Sequence, residues 1–273
     1  MSEKIPLSNL SFTEVKVRAD VTEIYEKIDK FAEESKGKDC KEVLDIVLGI
    51  LELPVEKDVE AFVKKLGAKS VFSGLLNTII VDEANNPIVI IPPEKKAEYD
   101  KTFRYLLYLK YYSLLSKDVF NKLKENGFPI FRCILQRLKS NPLLTEHFPF
   151  IERGVLEHIE GHFMASILIL GLRIEGILRS ILKKHGIDTL RVFNDGTVEE
   201  KTLGRLFGIN ELQKIIGSDL YQYLHVLLIK KEGENIRNGL AHSLIRYDDF
   251  NEELSSLLIL TLLFMDQNIA TMP

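Results

Sequence analysis

Apolar residues recur at helical spacing along most of this sequence, and that periodicity constrains the fold more than any other feature. Between 12 and 35, Val15, Val17, Val21, Ile24, Tyr25, Ile28 and Phe31 fall near i, i+3, i+4 intervals, with charged residues between them. Such a pattern buries one face of a helix and leaves the other in water. Further helices are expected over 40–53 and 56–66, divided by Pro54, and then over about 94–116, 118–126 and 129–139. A long helix is expected from about Ile151 to His185, followed by helices over about 209–231, 234–246 and 249–268. One segment departs from the pattern: in TIIVDEANNPIVII, 78–91, two β-branched runs flank Asn and Pro, which is the composition of a β-hairpin. Asp195-Gly196 marks a turn or a short hairpin within 186–200. The expected fold class is all-α, with one small β-hairpin near 78–91.

The 273 residues suffice for one large domain or two smaller ones. The proline-bearing stretch KSNPLLTEHFPF at 139–150 suggests a boundary, giving a helical N-terminal domain, 1–148, and a helical C-terminal domain, 149–273. With 36 basic and 40 acidic residues the net charge is -4, which excludes a globally basic nucleic-acid binder but not a local basic patch. The motifs GxxxxGK[ST], GxGxxG, HExxH, CxxC and GxSxG are absent, which removes the common nucleotide-binding, zincin, thiol-redox and α/β-hydrolase chemistries. Two cysteines, Cys40 and Cys133, cannot make a disulfide framework or a four-thiolate site and suit a reducing compartment. The N-terminal MSEKIPLSNLSFTEVK has no apolar signal core, and the greasiest run, LSSLLILTLLFM at 254–265, is shorter than the ~20 residues of a bilayer span. These features lead to the expectation of a cytoplasmic protein with no membrane association and no cofactor.

On the long helix, Ile159, Phe163, Ile167, Leu170, Ile174, Ile177, Leu178 and Ile181 share a broad arc at 100° per residue, with His158, His162, Ser166, Arg173 and Arg179 opposite. The polar stripe reads as a solvated face, or as the wall of a site or dimer interface. Glu175 precedes Arg179 by four residues and can pair with it. His158 and His162, spaced i, i+4, could present two imidazoles to a metal, but no third ligand is evident.

The segment Glu234-Asn235-Ile236-Arg237-Asn238-Gly239-Leu240-Ala241-His242-Ser243 carries the most chemistry. Ile236, Leu240 and Leu244 form an apolar stripe, Asn238 and His242 point away from it, and Arg237 flanks it. Gly239 costs about 1 kcal/mol inside a helix relative to Ala, so close approach of another backbone or a ligand is expected there. Arg offers a planar fork to phosphate oxygens, and His can move a proton near neutral pH. RNA carries its own 2′-hydroxyl nucleophile, so such a pair needs no metal. A solvent-exposed His, or a purely structural clasp of Asn and Arg, is the alternative.

The blocks ILILGLRIEGILRSILKKHG, 167–186, and EGENIRNGLAHSLI, 232–245, resemble the family called domain of unknown function 4209, with its RNxxxHG motif. The likeness spans roughly 160–247, and the family in turn resembles the HEPN superfamily of small helical domains with an Arg-x4–6-His motif. The resemblance implies a HEPN-like helical bundle in the C-terminal half. It implies a metal-independent endoribonuclease that acts as a homodimer, in a defence or toxin–antitoxin-like setting. Arg237, Asn238 and His242 take the motif positions, and Glu175 takes the acidic position on the preceding helix. The family's glycine after the histidine is Ser243 here. A non-catalytic module that binds RNA or nucleotide, or a protein-interaction module, would use the same segment.

Residues 101–139 carry nine basic side chains against two acidic ones. Tyr105, Tyr108 and Tyr112 fall on one helix face near Lys101 and Arg104, so lysines could hold phosphates while tyrosines stack on bases. Equally, the tyrosines could pack on a neighbouring helix.

Overall fold

The computed structural model describes residues 22–55, positions 57, 59 and 61, residues 78–81 and 87–91, and residues 96–230 and 234–269. The helices are α1 (Thr22–Glu34), α2 (Cys40–Ile50), α3 (Lys96–Glu125), α4 (Ile130–Lys139), α5 (Phe148–Ile159), α6 (Phe163–Lys184), α7 (Leu203–Phe207), α8 (Asn210–Ile216), α9 (Ser218–Leu228), α10 (Ile236–Ala241) and α11 (Glu252–Ile269). Two antiparallel hairpins interrupt them: β1 (Thr78–Val81) with β2 (Pro87–Ile91), and β3 (Leu190–Val192) with β4 (Val198–Glu200). The all-α expectation therefore holds, and both hairpin signals correspond to real hairpins.

The core is built around α11. Its residues from Ser255 to Asp266 are all buried, so the greasy run at 254–265 is hydrophobic all round because protein surrounds it. Among the described residues no helix is long and apolar enough to cross a membrane. α11 packs on α3, α6, α5 and α4, and Tyr223 of α9 stands edge-on to Phe264 with ring centroids 5.5 Å apart. Buried side chains from before and after 148, among them Phe120, Ile134, Ile174 and Leu260, belong to one continuous cluster. Polar bonds cross the same line: Asp266 accepts from Arg137 Nε at 2.8 Å and from Asn141 Nδ2 at 2.9 Å, and Lys117 meets Glu253 at 2.7 Å. The two halves expected on either side of 148 thus share a core.

Several helix boundaries differ from expectation. Residues 96–125 form a single helix, because nothing between 116 and 118 breaks it. The expected helix from Ile151 to His185 is two helices. Gly161 adopts φ +81°, and His162 N–H returns to Glu157 O at 2.8 Å, closing α5 before α6 begins. The chain reverses there, and α5 packs along α6 so closely that a Cβ at Gly154 would run into Leu170. Likewise Gly217, φ +82°, separates α8 from α9.

Cys40 and Cys133 are not free thiols. They form a disulfide, Cα–Cα 5.1 Å, that joins α2 to α4 across 93 residues of sequence. The spacing alone could not reveal this pairing, because it depends on α2 and α4 being neighbours. A crosslink closing so long a loop restricts the unfolded chain strongly. Cys133→Ala should lower the unfolding free energy by about 2–4 kcal/mol, measured by denaturant titration, and reductant should lower wild-type stability to the same level.

Candidate functional site

The site is assembled on α6. Its Gly171 leaves room for α10 to lie against it: a Cβ there would stand 2.7 Å from Leu240 Cδ1 and 3.7 Å from Ile236 Cγ2. With Ile236 and Leu240 seated on α6, Arg237 reaches Glu175, whose Oε2 accepts from Arg237 Nε at 2.7 Å. The other carboxylate oxygen, Oε1, accepts from Arg179 Nη2 at 2.7 Å. Arg179 continues outward, donating to Glu200 Oε2 on β4 at 2.8 Å and to Lys201 O at 2.8 Å. Lys183 also meets Glu200, at 2.8 Å. The expected i, i+4 pairing of Glu175 with Arg179 is present, and Arg237, the motif arginine, shares the same carboxylate. The hairpin that carries Glu200 was signalled by Asp195-Gly196, but nothing in the sequence marked Glu200 itself as part of a site.

Helix α10 is shorter than the expected 234–246. Asn235 enters it in the left-handed region, φ +49°, and Ser243 leaves it at φ +56°. Leu244 N–H then returns to Gly239 O at 2.8 Å, and Leu244 is exposed rather than continuing the apolar stripe. Gly239 is needed because Ile245 folds back over it: a Cβ would lie 2.7 Å from Ile245 Cγ1. The close approach comes from a side chain of the same segment, not from another backbone. Asn238 Nδ2 donates to Asn235 Oδ1 at 2.8 Å and braces the entry turn. His242 caps the C-terminal end of α10 and is exposed.

Arg173 does not join this group. Two residues before Glu175, it points to the α5 side of α6. There its guanidinium lies 3.6 Å over the Phe150 ring and Nη1 approaches His147 Nδ1 at 3.4 Å. Burial, and next the Arg173 charge, push the His147 imidazole below its ordinary value.

The metal reading of His158 and His162 fails because the turn at Gly161 separates them. His158 is buried between Phe131 and Phe163 and bonds through Nδ1 to Ser255 Oγ of α11 at 2.8 Å. Ser166, expected on the exposed stripe, is also buried and meets the same hydroxyl at 2.8 Å. His162 is exposed and pairs with Glu157 at 2.9 Å, while Arg153 pairs with Glu157 as well. Glu157, Glu160 and His162 place ligand atoms within 4.8 Å of one another, with His162 Nδ1 2.9 Å from Glu157 Oε2 and 3.4 Å from Glu160 Oε2.

The base-stacking reading of the tyrosines is also corrected. Tyr105, Tyr108 and Tyr112 are buried in the core. Tyr105 donates to Pro54 O at 2.8 Å, and Tyr108 donates to Tyr112 at 2.9 Å with their rings stacked at 4.5 Å. Lys101 and Arg104 have side chains outside the described residues. Three other cations of the basic stretch are paired with carboxylates: Lys110 with Glu234 at 2.8 Å, Lys122 with Asp29 at 2.8 Å and Arg137 with Asp45 at 3.1 Å.

Comparison with family models, curated proteins and solved structures finds no match to this chain.

Two predictions follow from local geometry. Ser243→Gly should raise stability by about 0.5–1 kcal/mol in chemical denaturation, because glycine adopts the left-handed conformation without a Cβ clash. A loss of stability would contradict this assignment of the turn. Burial, with a smaller contribution from Lys124, lowers the His158 pKa to about 4. The unfolded chain therefore binds the proton first, and stability should fall as pH drops from the ordinary histidine value, about 6.5, to about 4. The His158 contribution to that loss is at most about 3 kcal/mol, and His158→Gln should flatten the profile by the same amount.

Proposed function

We propose that this protein is a HEPN-like, metal-independent endoribonuclease whose reacting groups are Arg237 and His242. The observation that carries this reading is the way Arg237 is held. Glu175 binds it through Nε alone, and among the described residues its terminal nitrogens have no hydrogen-bond partner. A guanidinium fixed at Nε keeps its position while its outer edge remains available to two oxygens of a phosphodiester. His242 stands exposed at the other end of the same short helix. The likeness of 167–186 and 232–245 to the RNxxxHG family, within the wider HEPN group, supports the same reading.

The chemistry is transesterification. The 2′-hydroxyl oxygen of RNA attacks the adjacent phosphorus, and the bond to the 5′-oxygen breaks. This leaves a 2′,3′-cyclic phosphate and a 5′-hydroxyl. Arg237 stabilises the extra negative charge of the phosphorane. His242 takes the proton from the 2′-hydroxyl or returns one to the departing 5′-oxygen. One histidine cannot be acid and base in the same step, so a pair of protomers supplies both roles. The Asn238 side-chain oxygen remains to orient the reacting hydroxyl, since its nitrogen is committed to Asn235.

A second reading is favoured by the network itself. Glu175, Arg179 and Glu200 tie α6, α10 and the hairpin together, as a structural clasp would. In that case the segment binds RNA or a partner protein without cutting.

Purified protein should cleave single-stranded RNA in EDTA and leave 2′,3′-cyclic phosphate ends. His242→Ala should slow cleavage by about 10²–10⁴-fold with little change in melting temperature. Metal-dependent cleavage or 3′-hydroxyl ends would overturn the mechanism. RNA retention without turnover would favour the binding module, and a lowered melting temperature with unchanged RNA affinity would favour the clasp.

A further inference from the structure

The Cys40–Cys133 bridge stands where two open cavities meet. One, about 450 Å³, lies between the loop 36–40 and the loop 126–129, and Cys40 lines it while Cys133 does not. The other, about 380 Å³, lies between α2 and α4 and is lined by both cysteines. Cys40 is half-buried, whereas Cys133 is 1% exposed. A reagent arriving from water therefore meets Cys40 first. The charges on the cavity walls are unevenly matched. Asp39 accepts from Glu42 N–H at 2.8 Å, Lys38 pairs with Glu42 at 2.5 Å, and Asp45 pairs at 3.1 Å with Arg137, which also holds Asp266. Lys36 and Lys41, one in each cavity, have no ion-pair partner among the described residues. The cations left over thus flank Cys40 on both sides, where they attract an anion. Val43, Leu44 and Val47 of α2 are buried in the common core, so α2 stays seated when the bridge opens.

We propose that this bridge is a thiol-exchange site, opened by a small anionic thiol of the glutathione class that attacks Cys40. Which sulfur of a disulfide is attacked depends on access, and access favours Cys40. The incoming thiolate bonds to Cys40 Sγ, and the bond to Cys133 Sγ breaks. Cys133 leaves as a thiolate and takes a proton from water. A second thiolate then attacks the sulfur of the first thiol, and Cys40 leaves as a thiolate that is protonated in turn. In total two thiols are oxidised to one disulfide, and the cysteine pair gains two electrons and two protons. The reverse reaction uses the disulfide form of the same compound as oxidant. Lys36 and Lys41 hold the carboxylates of the thiol while it reacts. The covalent tie between α2 and α4 is therefore present or absent according to the thiol–disulfide balance around the protein, while the core stays packed. The site uses no residue of the Glu175 network and does not depend on the ribonuclease reading.

Millimolar glutathione added to the full native chain, quenched with acid and mapped by peptide mass spectrometry, tests this. The wild type should first show glutathione on Cys40 with Cys133 free, and then both cysteines free, with helical circular dichroism retained. Glutathione disulfide should restore the bridge. Lys36→Gln combined with Lys41→Gln should slow opening by glutathione about 2–5-fold, the size of one or two exposed charge interactions. Opening by neutral 2-mercaptoethanol, compared at equal thiolate concentration, should be unchanged by the same substitutions. In Cys133→Ser, Cys40 should accept glutathione from glutathione disulfide, whereas Cys133 in folded Cys40→Ser should not. A bridge that opens only in denaturant would make the crosslink a structural staple and overturn the proposal. Glutathione found first on Cys133, or lysine substitutions that affect both thiols equally, would overturn it as well.

Discussion

One carboxylate organises the C-terminal half of this protein. Glu175 is largely buried, and each of its oxygens accepts from a different guanidinium at 2.7 Å. Removing Glu175 would leave two guanidinium groups side by side in a largely buried setting, whereas with it in place one carboxylate lies between the two cations and Glu200 supplies a second anion to Arg179. Through Arg179 the carboxylate also determines where the β3–β4 hairpin sits, because Arg179 bonds both Glu200 and the Lys201 carbonyl. The position of Arg237, the attachment of α10 and the placement of the hairpin are therefore consequences of the same group.

Helix α10 could not hold this geometry alone. Six residues are far below the length at which a helix is stable in water, so its shape comes from tertiary packing. Two glycines make that packing possible. Gly171 lets Ile236 and Leu240 approach α6, and Gly239 lets Ile245 close over the far side. Left-handed residues, Asn235 and Ser243, start and stop the helix abruptly. His242 consequently lies at a defined end, one residue before the chain turns away.

Much of this architecture was legible in the sequence, and the exceptions share a cause. Periodicity located α2, α4 and α11 well because each has a clear apolar face or an unbroken apolar run. The same reasoning ran α5 into α6, since the apolar pattern continues across Gly161 and only a positive φ reveals the turn. That error carried His158 and Ser166 onto an exposed stripe, although both are buried against Ser255. The tyrosines of α3 illustrate a related limit: a face of Tyr105, Tyr108 and Tyr112 looks the same in sequence whether it meets a base or a neighbouring helix. Within the site, Glu175, Arg179 and Arg237 were identifiable from spacing and resemblance. Glu200 and the Cys40–Cys133 pairing were not, because both depend on which distant elements become neighbours.

The account turns on Glu175 acting as the support for Arg237, and a double-mutant cycle between them measures that directly. Glu175→Gln, Arg237→Gln and the double variant would each be assayed for unfolding free energy and for affinity to a single-stranded RNA oligonucleotide. The account predicts a favourable coupling of at least about 1 kcal/mol in stability, together with weakened RNA affinity in Glu175→Gln although that residue's carboxylate never faces the phosphate. Additive stabilities, with RNA affinity unchanged when Glu175 is replaced, would contradict it.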